Sequence, residues 1–243
     1  MATISSADIV VRPATIEDAD ALSKLEILAR PADPSWTFRF PYRDQYPEDH
    51  QIFNRAKYNL FCNSGGSFEV TLAEIPSPND LGTRTPIGVS IWDMRKAPWY
   101  TTEEGSTTDV QTTRGSGKRR DEHPARHAKI VEVHSAAHDV FFSSTFGVDK
   151  HLYLMILAVH PDYQRLGIAT TLCRWGIDRA AQYPGCQVGV TTSQMDSERR
   201  LYDGRLGFRS LGAAVCWADD DVVEGQNEVR MEFLIWGSTS KIA

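Results

Sequence analysis

The chain has 243 residues, 41% of them apolar, and a formal net charge of -6. This length and apolar fraction suffice for the core of one globular domain, whereas an excess of acidic side chains argues against a nucleic-acid surface, which needs clustered lysine and arginine. No run approaches the ~18 apolar residues that span a bilayer, and "MATISSADIV" lacks a basic-then-apolar signal pattern, so we expect a cytoplasmic protein with neither membrane nor nucleic-acid partners.

The amino-terminal stretch "IVVRPATIEDADALSKL", residues 9–25, predicts a strand, an acidic first turn and an amphipathic helix. A second helix is predicted over Glu48 to Cys62. Between them lies an aromatic segment bounded by prolines, residues 34–50. Its aromatic side chains recur every two to four residues; they are Trp36, Phe38, Phe40, Tyr42 and Tyr46.

Two strands are predicted next, over residues 67–75 and 86–94, on either side of a turn with proline and asparagine. Residues 101–128 are rich in Thr, Gly, Ser and charge with hardly an apolar residue, which predicts a flexible surface insertion. Its basic stretch "RGSGKRR" fits either a solvated loop or an arm for an anionic partner. Residues 128–144 then have apolar positions at helical spacing and predict an amphipathic helix.

The segment "HLYLMILAVHPDYQRLGIATTL", residues 151–172, predicts an apolar strand, a glycine turn and a helix from Thr170 to about Tyr183. The first amides of a helix have no intrahelical partner and lie at the positive end of its dipole, so this arrangement suits an anion such as a diphosphate. Gly167 and Ala169 leave room for its approach. The turn has neither the ending of a Walker loop nor the three glycines of a dinucleotide fingerprint.

Further along, "VGVTTS", residues 188–193, predicts another strand, and "SERRLYDGRLGF", residues 197–208, predicts a short helix that ends at a glycine. Cysteines stand at Cys62, Cys173, Cys186 and Cys216, without the spacing of a zinc site or a disulfide framework. His134 and His138 are four apart, but they lack the glutamate of a His-Glu-x-x-His motif and a third ligand. We therefore expect reduced thiols and no metal.

The turn Gln164 to Ala169 fits the pattern Gln/Arg-x-x-Gly-x-Gly/Ala, and here the chain resembles the GCN5-related N-acetyltransferase (GNAT) superfamily. The family's Leu-Tyr…Gly-Phe signature is matched by Leu201, Tyr202, Gly207 and Phe208, although Ser197-Glu198 replace a common glycine. The strand and helix at the amino terminus are similar to the family's as well. The resemblance implies an α/β (α+β) fold in one domain over residues 1–243, with a mixed central sheet of about six to seven strands, flanked by helices and splayed at the coenzyme site.

The resemblance also implies that acetyl-coenzyme A is the co-substrate and that a small primary amine attacks it directly in a ternary complex. It assigns the coenzyme to Leu157, Ala158, Val159, Gln164, Arg165, Leu166, Gly167, Ile168, Ala169 and Ser193. Tyr202 would return a proton to the departing thiolate as the catalytic acid, unless it is a tyrosine packed in the core.

In this family the first two helices wall the acceptor cleft, so Trp36, Phe40 and Tyr42 are candidate acceptor contacts, with Tyr153 from the strand. The acidic residues Asp44, Glu48 and Asp49 nearby would suit an amine; alternatively, the aromatic residues only pack the helix connection.

The strand is similar to that of arylalkylamine N-acetyltransferases, but Tyr153 and Met155 replace two histidines that remove the proton there. Water, Tyr153 or a carboxylate must then serve as base. Two other functions stay open: a catalytically weak acyl-coenzyme A-binding protein, and a protein-lysine or N-terminal acetyltransferase.

Overall fold

A computed structural model describes residues 8–77, 82–100, 118–143, 148–193, 196–217 and 228–237. Its strands are β1 (Val10–Pro13), β2 (Phe68–Pro76), β3 (Arg84–Asp93), β4 (His151–Val159), β5 (Gln187–Thr192), β6 (Arg209–Trp217) and β7 (Glu228–Trp236). Its helices are α1 (Ala19–Ala29), α2 (Pro34–Arg39), α3 (Pro47–Cys62), α4 (Pro124–Phe141), α5 (Ile168–Ala180) and α6 (Asp196–Leu201), and a π-helical turn (Tyr202–Leu206) follows α6.

The strands form one seven-stranded mixed sheet in the order β1-β2-β3-β4-β5-β7-β6. Neighbouring strands are antiparallel except β4 and β5, which are parallel and pair only over residues 151–154 and 187–190. Helix α5 packs on one face of the sheet, while α1, α3 and α4 pack on the other. The mixed sheet, its strand number and the flanking helices confirm the predicted fold.

A β-bulge in β4 marks the point where β4 and β5 separate. Opposite β3, Ile156 faces Ile91 and Leu154 faces Trp92, so Met155 is an extra residue. The bulge also shifts the alternation of side chains, because Leu154 and then Leu157 face α5, with two residues between them. A bulge bends its strand and increases the local twist, and here it turns β4 away from β5.

Helix α5 covers the sheet through buried apolar residues one turn apart, among them Ile168, Leu172 and Ile177. Gly176 lies on the same face and directly over Trp92. A Cβ atom at Gly176 would lie 2.7 Å from Cζ2 of the Trp92 ring and closer still to two other ring carbons. The absence of a side chain at this position therefore sets how closely the helix approaches β3.

Helix α2 forms inside the aromatic segment, where no element was predicted. Asp33 caps it by accepting a hydrogen bond from Ser35 N at 2.9 Å, and Pro34 occupies the first turn. Proline at this position loses no helical hydrogen bond and has the right φ. Strands β6 and β7 likewise have no counterpart among the predicted elements.

The predicted insertion ends earlier than expected. Residues 101–117 lie outside the described residues, but 118–128 pack against the protein, and α4 begins at Pro124. Asp121 is fully buried and binds His50 Nδ1 at 2.8 Å and Arg119 Nε at 3.0 Å. The free-energy cost of burying Asp121 is thus offset by ion pairs rather than by apolar contacts.

The cysteine side chains are free thiols, three of them buried and Cys62 half-buried. Burial raises the pKa of Cys173 to about 12 and those of Cys62 and Cys186 to about 11. Within the ranges that the structure describes, no helix has the length and apolar character to cross a bilayer.

We expect Gly176→Ala to destabilise the protein by about 1–3 kcal/mol, because overpacking a dense core costs this much. Gly204→Ala is the control, since a Cβ atom there meets nothing within 4 Å. Urea denaturation measures both free energies of unfolding. Equal stability of the two variants would show that α5 can shift freely over Trp92.

Candidate active site

The turn before α5 has the backbone shape expected of an anion site. Gly167 is its N-cap residue at φ +85°, and Arg165 also has a positive φ, 66°. Nothing lies within 4 Å of where a Cβ atom at Gly167 would be, and Gln164, Arg165 and Leu166 are exposed. The first amides of α5 thus face open space, as the diphosphate prediction for Gln164 to Ala169 requires.

The open edge of β4 begins beside this turn. Leu157, Ala158 and Val159 pair with β3 on one side. On the other side the ladder to β5 ends at Leu154, and no other strand of the described sheet replaces it. Backbone N–H and C=O groups of this edge are therefore available to an extended ligand.

A cavity of about 490 Å³ lies where the two strands diverge, enclosed by α2, α3 and α4. It brings together several predicted site residues, namely Trp36, Phe40, Tyr153, Leu157, Ser193 and Tyr202. Trp36 and Phe40 of the aromatic segment thus contribute to the cavity wall and are also buried against their neighbours.

Tyr42 does not line this cavity. Its ring is stacked on that of His123, with the two ring centroids 6.5 Å apart. Asp44, Glu48 and Asp49 also lie outside the lining, and Asp49 binds Arg120 at 2.9 Å. The carboxylates that do line the cavity are Glu26, Asp33, Glu122 and Glu198.

Tyr202 stands at the start of the π-helical turn, buried, with its ring 5.4 Å from that of Phe208. Burial raises the pKa of Tyr202 well above 10. The hydroxyl therefore stays protonated at any working pH, as a proton donor must.

Tyr153 donates a hydrogen bond to Thr191 Oγ1 at 2.9 Å, and its hydroxyl lies 3.0 Å from His134 Nε2. Burial raises the pKa of Tyr153 and lowers that of His134 to about 4. Both groups are therefore neutral at pH 7, and the phenol is a poor candidate for the base. In the described part of the chain no three His, Cys, Asp or Glu side chains are placed to hold a metal ion.

A buried charge network joins the helices of the cavity wall. Glu26 binds Lys57 Nζ at 2.6 Å and Arg30 Nε at 2.8 Å. Arg30 also binds Asp33 at 2.7 Å, and Asp33 accepts a hydrogen bond from Ser193 Oγ at 2.8 Å. The network thus links four parts of the fold: helix α1, helix α3, the N-cap residue of α2 and the end of β5.

Burial alone would raise the pKa of Glu26, but Lys57 and Arg30 outweigh it and hold the pKa at about 2. No sequence motif singles out this glutamate. The available signal was its place on α1, where Ala19, Leu22 and Leu25 mark the apolar face that Glu26 shares.

We expect Glu26→Gln to lower the free energy of unfolding by about 3 kcal/mol at pH 7, since the pKa of Glu26 is about 2 against an ordinary 4.5. A carboxylate with a depressed pKa stabilises above its unfolded-state pKa. The difference between wild type and variant should thus vanish as the pH falls from about 4.5 to 2. Urea denaturation across this range measures it.

Asp20→Asn is the matched control on α1, because its pair with Lys24 is exposed and should contribute little. A Glu26→Gln variant as stable as the Asp20→Asn variant at pH 7 would contradict the stabilising role of the network.

Residues 94–208 match the model of the acetyltransferase (GNAT) family. No curated protein sequence matches the chain significantly.

Three solved structures share the fold. A mosquito arylalkylamine N-acetyltransferase like 5b is 16% identical, with 94% of this chain and 99% of that chain covered and a TM-score of 0.56. Drosophila melanogaster polyamine N-acetyltransferase, which forms N-acetylagmatine, is 14% identical, with 95% and 100% covered and a TM-score of 0.58. A Corynebacterium glutamicum protein described as histone acetyltransferase HPA2 and related acetyltransferase is 18% identical, with 93% and 95% covered and a TM-score of 0.51.

At these identities the likeness concerns the fold, and the three acceptors named belong to those proteins. The chain thus matches the acetyltransferase (GNAT) family over residues 94–208, and its seven-stranded sheet with flanking helices has the fold of the N-acetyltransferases named above.

Proposed function

We propose that the protein is an acetyl-coenzyme A-dependent N-acetyltransferase that acetylates a small primary amine by direct attack in a ternary complex. One observation carries this proposal: a single cavity extends from the open edge of β4 and Tyr202 to the aromatic wall of α2. The donor and the acceptor can therefore meet there without a covalent enzyme intermediate.

The coenzyme side consists of the turn Gln164 to Ala169 and the edge of β4. Acetyl-coenzyme A, when bound, supplies an activated thioester. The first amides of α5 hold the diphosphate, and the space above Gly167 leaves its path open. Backbone N–H groups near Leu157 and Val159 are in position to polarise a carbonyl oxygen, while Ser193 closes the end of β5.

Proton transfer involves Tyr202 and a separate base. The buried phenol of Tyr202 protonates the departing thiolate. Besides the neutral Tyr153, the carboxylates of Glu26 and Asp33 are poor bases, because ion pairs and hydrogen bonds hold their pKa values low despite burial. Glu122 is paired with Arg119, but Glu198 also lines the cavity, so we assign removal of the acceptor's proton to water or to Glu198.

The size of the cavity, about 490 Å³, lies in the range of small-molecule sites and favours a small acceptor over a protein side chain. The single-domain organisation over residues 1–243 and the cytoplasmic location stay predictions.

The test is release of coenzyme A thiol from acetyl-coenzyme A with a panel of small amines and short peptides. We expect release with small amines. Binding of the coenzyme without release for any acceptor would support the weak binding protein instead, and release with peptides alone would support a protein acetyltransferase.

Gly167→Trp should raise the dissociation constant of acetyl-coenzyme A at least tenfold, about 1.4 kcal/mol, because the indole fills the path of the diphosphate. Gly185→Trp is a matched control with a similar φ, +78°, and the same open space, away from the turn. Calorimetry measures both constants. Unchanged affinity in a folded Gly167→Trp variant would refute the placement of the diphosphate.

Tyr202→Phe keeps the ring and its packing but removes the proton donor, so we expect kcat to fall about 10- to 100-fold with coenzyme affinity unchanged. Because the pKa of Tyr202 is raised, loss of its proton should not lower the wild-type rate below pH 10. Steady-state kinetics across this pH range is the measurement. Full kcat in the variant would leave Tyr202 as a packing residue.

A further inference from the structure

The cavity wall carries an arginine, Arg39, with which no carboxylate of the described residues forms an ion pair. Four cations line the cavity: Arg30, Arg39, Lys57 and Arg119. Arg30 and Lys57 share Glu26, and Arg119 binds Asp121 and Glu122, each at 3.0 Å. Arg39, in contrast, has no carboxylate within 4.0 Å among the residues described.

The direct contacts of Arg39 are with a carbonyl oxygen and aromatic rings. Its Nε donates to Ser35 O at 3.2 Å, and its guanidinium lies over the rings of Trp36 and Phe40 at 5.5 and 5.2 Å. Burial and repulsion from Arg30 outweigh the attraction of Asp33 and Glu26 and lower the pKa of Arg39 to about 10. The side chain is therefore still charged at neutral pH, and for a half-buried cation a direct ion pair would be favourable.

The aromatic wall is already occupied by the protein's own cations. Arg30 and Lys57 lie 5.2 and 5.3 Å from the Trp36 ring, and Arg119 lies 3.6 Å from the Phe53 ring. A cationic acceptor placed over these rings would meet like charges. Because Arg30, Lys57 and Arg119 are each paired with a carboxylate, Arg39 is the cation among the described lining residues at which an anionic group would meet no carboxylate within ion-pair distance.

Hydrogen bonds connect Arg39 to the coenzyme end of the cavity. Asp33 Oδ1 accepts from Ser193 Oγ and from Ser35 Oγ, each at 2.8 Å, and Ser35 O accepts from Arg39. The guanidinium and Ser193 at the end of β5 therefore line the same cavity and are connected through Asp33 and Ser35. An acceptor that presents its amine near Ser193 would extend toward Arg39 with the rest of the molecule.

We propose that the acceptor is an amino acid or another short amino carboxylate, whose carboxylate is bound by Arg39. The inference rests on the proposed N-acetyltransferase function. Guanidinium and carboxylate can form two parallel hydrogen bonds, and the incoming anion would supply the counter-charge that the described part of the chain does not place within ion-pair distance of Arg39.

The first experiment compares amino acids with their amides, namely glycine, leucine, phenylalanine and glutamate against the corresponding α-carboxamides, by thiol release. In the wild type we expect kcat/KM to be at least tenfold higher for the carboxylate of the best pair. Arg39→Gln should abolish this preference by lowering the value for the carboxylate, and Arg39→Lys, which keeps the charge, should retain part of it. Arg120→Gln is the control, because its guanidinium pairs with Asp49 outside the cavity.

A second experiment needs no turnover. The N-acetylated forms of the same amino acids and amides are tested for their effect on the melting temperature. We expect at least one carboxylate to raise the Tm of the wild type more than its amide does, and Arg39→Gln to lose the difference.

Failure of the proposed N-acetyltransferase function and failure of the carboxylate site at Arg39 give different results in these experiments. If no amine is turned over but the Tm difference is present and depends on Arg39, the proposed function fails and the anion site stands. Equal kcat/KM and equal Tm shifts for carboxylate and amide in every pair would overturn the inference, and so would a preference that survives in Arg39→Gln.

Discussion

The separation of β4 from β5 beyond Leu154 is the constraint on which the rest of the molecule depends. A sheet that stayed paired would satisfy every backbone group of both strands and leave no room between them. The bulge at Met155 ends the pairing and gives β4 a free edge. Because α5 starts just after the same strand, the free edge, the anion-binding turn and the cavity are neighbours.

The charge network on the opposite wall of the cavity holds the surrounding helices in place relative to the gap between β4 and β5. Apolar contacts could hold α1 and α3 together, but they would not fix the direction of individual side chains. Ion pairs around Glu26 and Asp33 have defined geometry, and breaking a buried pair typically costs about 3–5 kcal/mol. The wall is therefore held by groups that also set the local electrostatic potential, so its stability and its ligand preference are not independent.

The sequence predicted the elements that carry strong local signals. The apolar run of β4, the glycine at position 167 and the stop after α5 are each visible within a few residues. Helix α2 was missed because six residues give too little periodicity, although Asp33-Pro34 is a cap signal. Strand β7 alternates apolar and polar residues and could have been predicted, whereas β6 begins with small and polar residues.

The parts of the site that could not be predicted from the sequence depend on contacts between residues far apart along the chain. His50 and Asp121 are 71 positions apart, so the composition of residues 118–122 indicated a solvated loop where the structure has buried ion pairs. Asp44, Glu48 and Asp49 are close in sequence to the aromatic wall, but the lining of the cavity does not include them. Proximity along the chain cannot establish which face a helix presents.

The raised pKa values of the cysteines have a practical consequence. With pKa values of about 11 and 12, Cys62 and Cys173 are thiolate in no more than about one molecule in ten thousand at pH 7. Oxidants and disulfide reagents react with thiolates, so these two thiols should react slowly in the folded protein. Reaction of these thiols then becomes a sensitive sign that the core has opened.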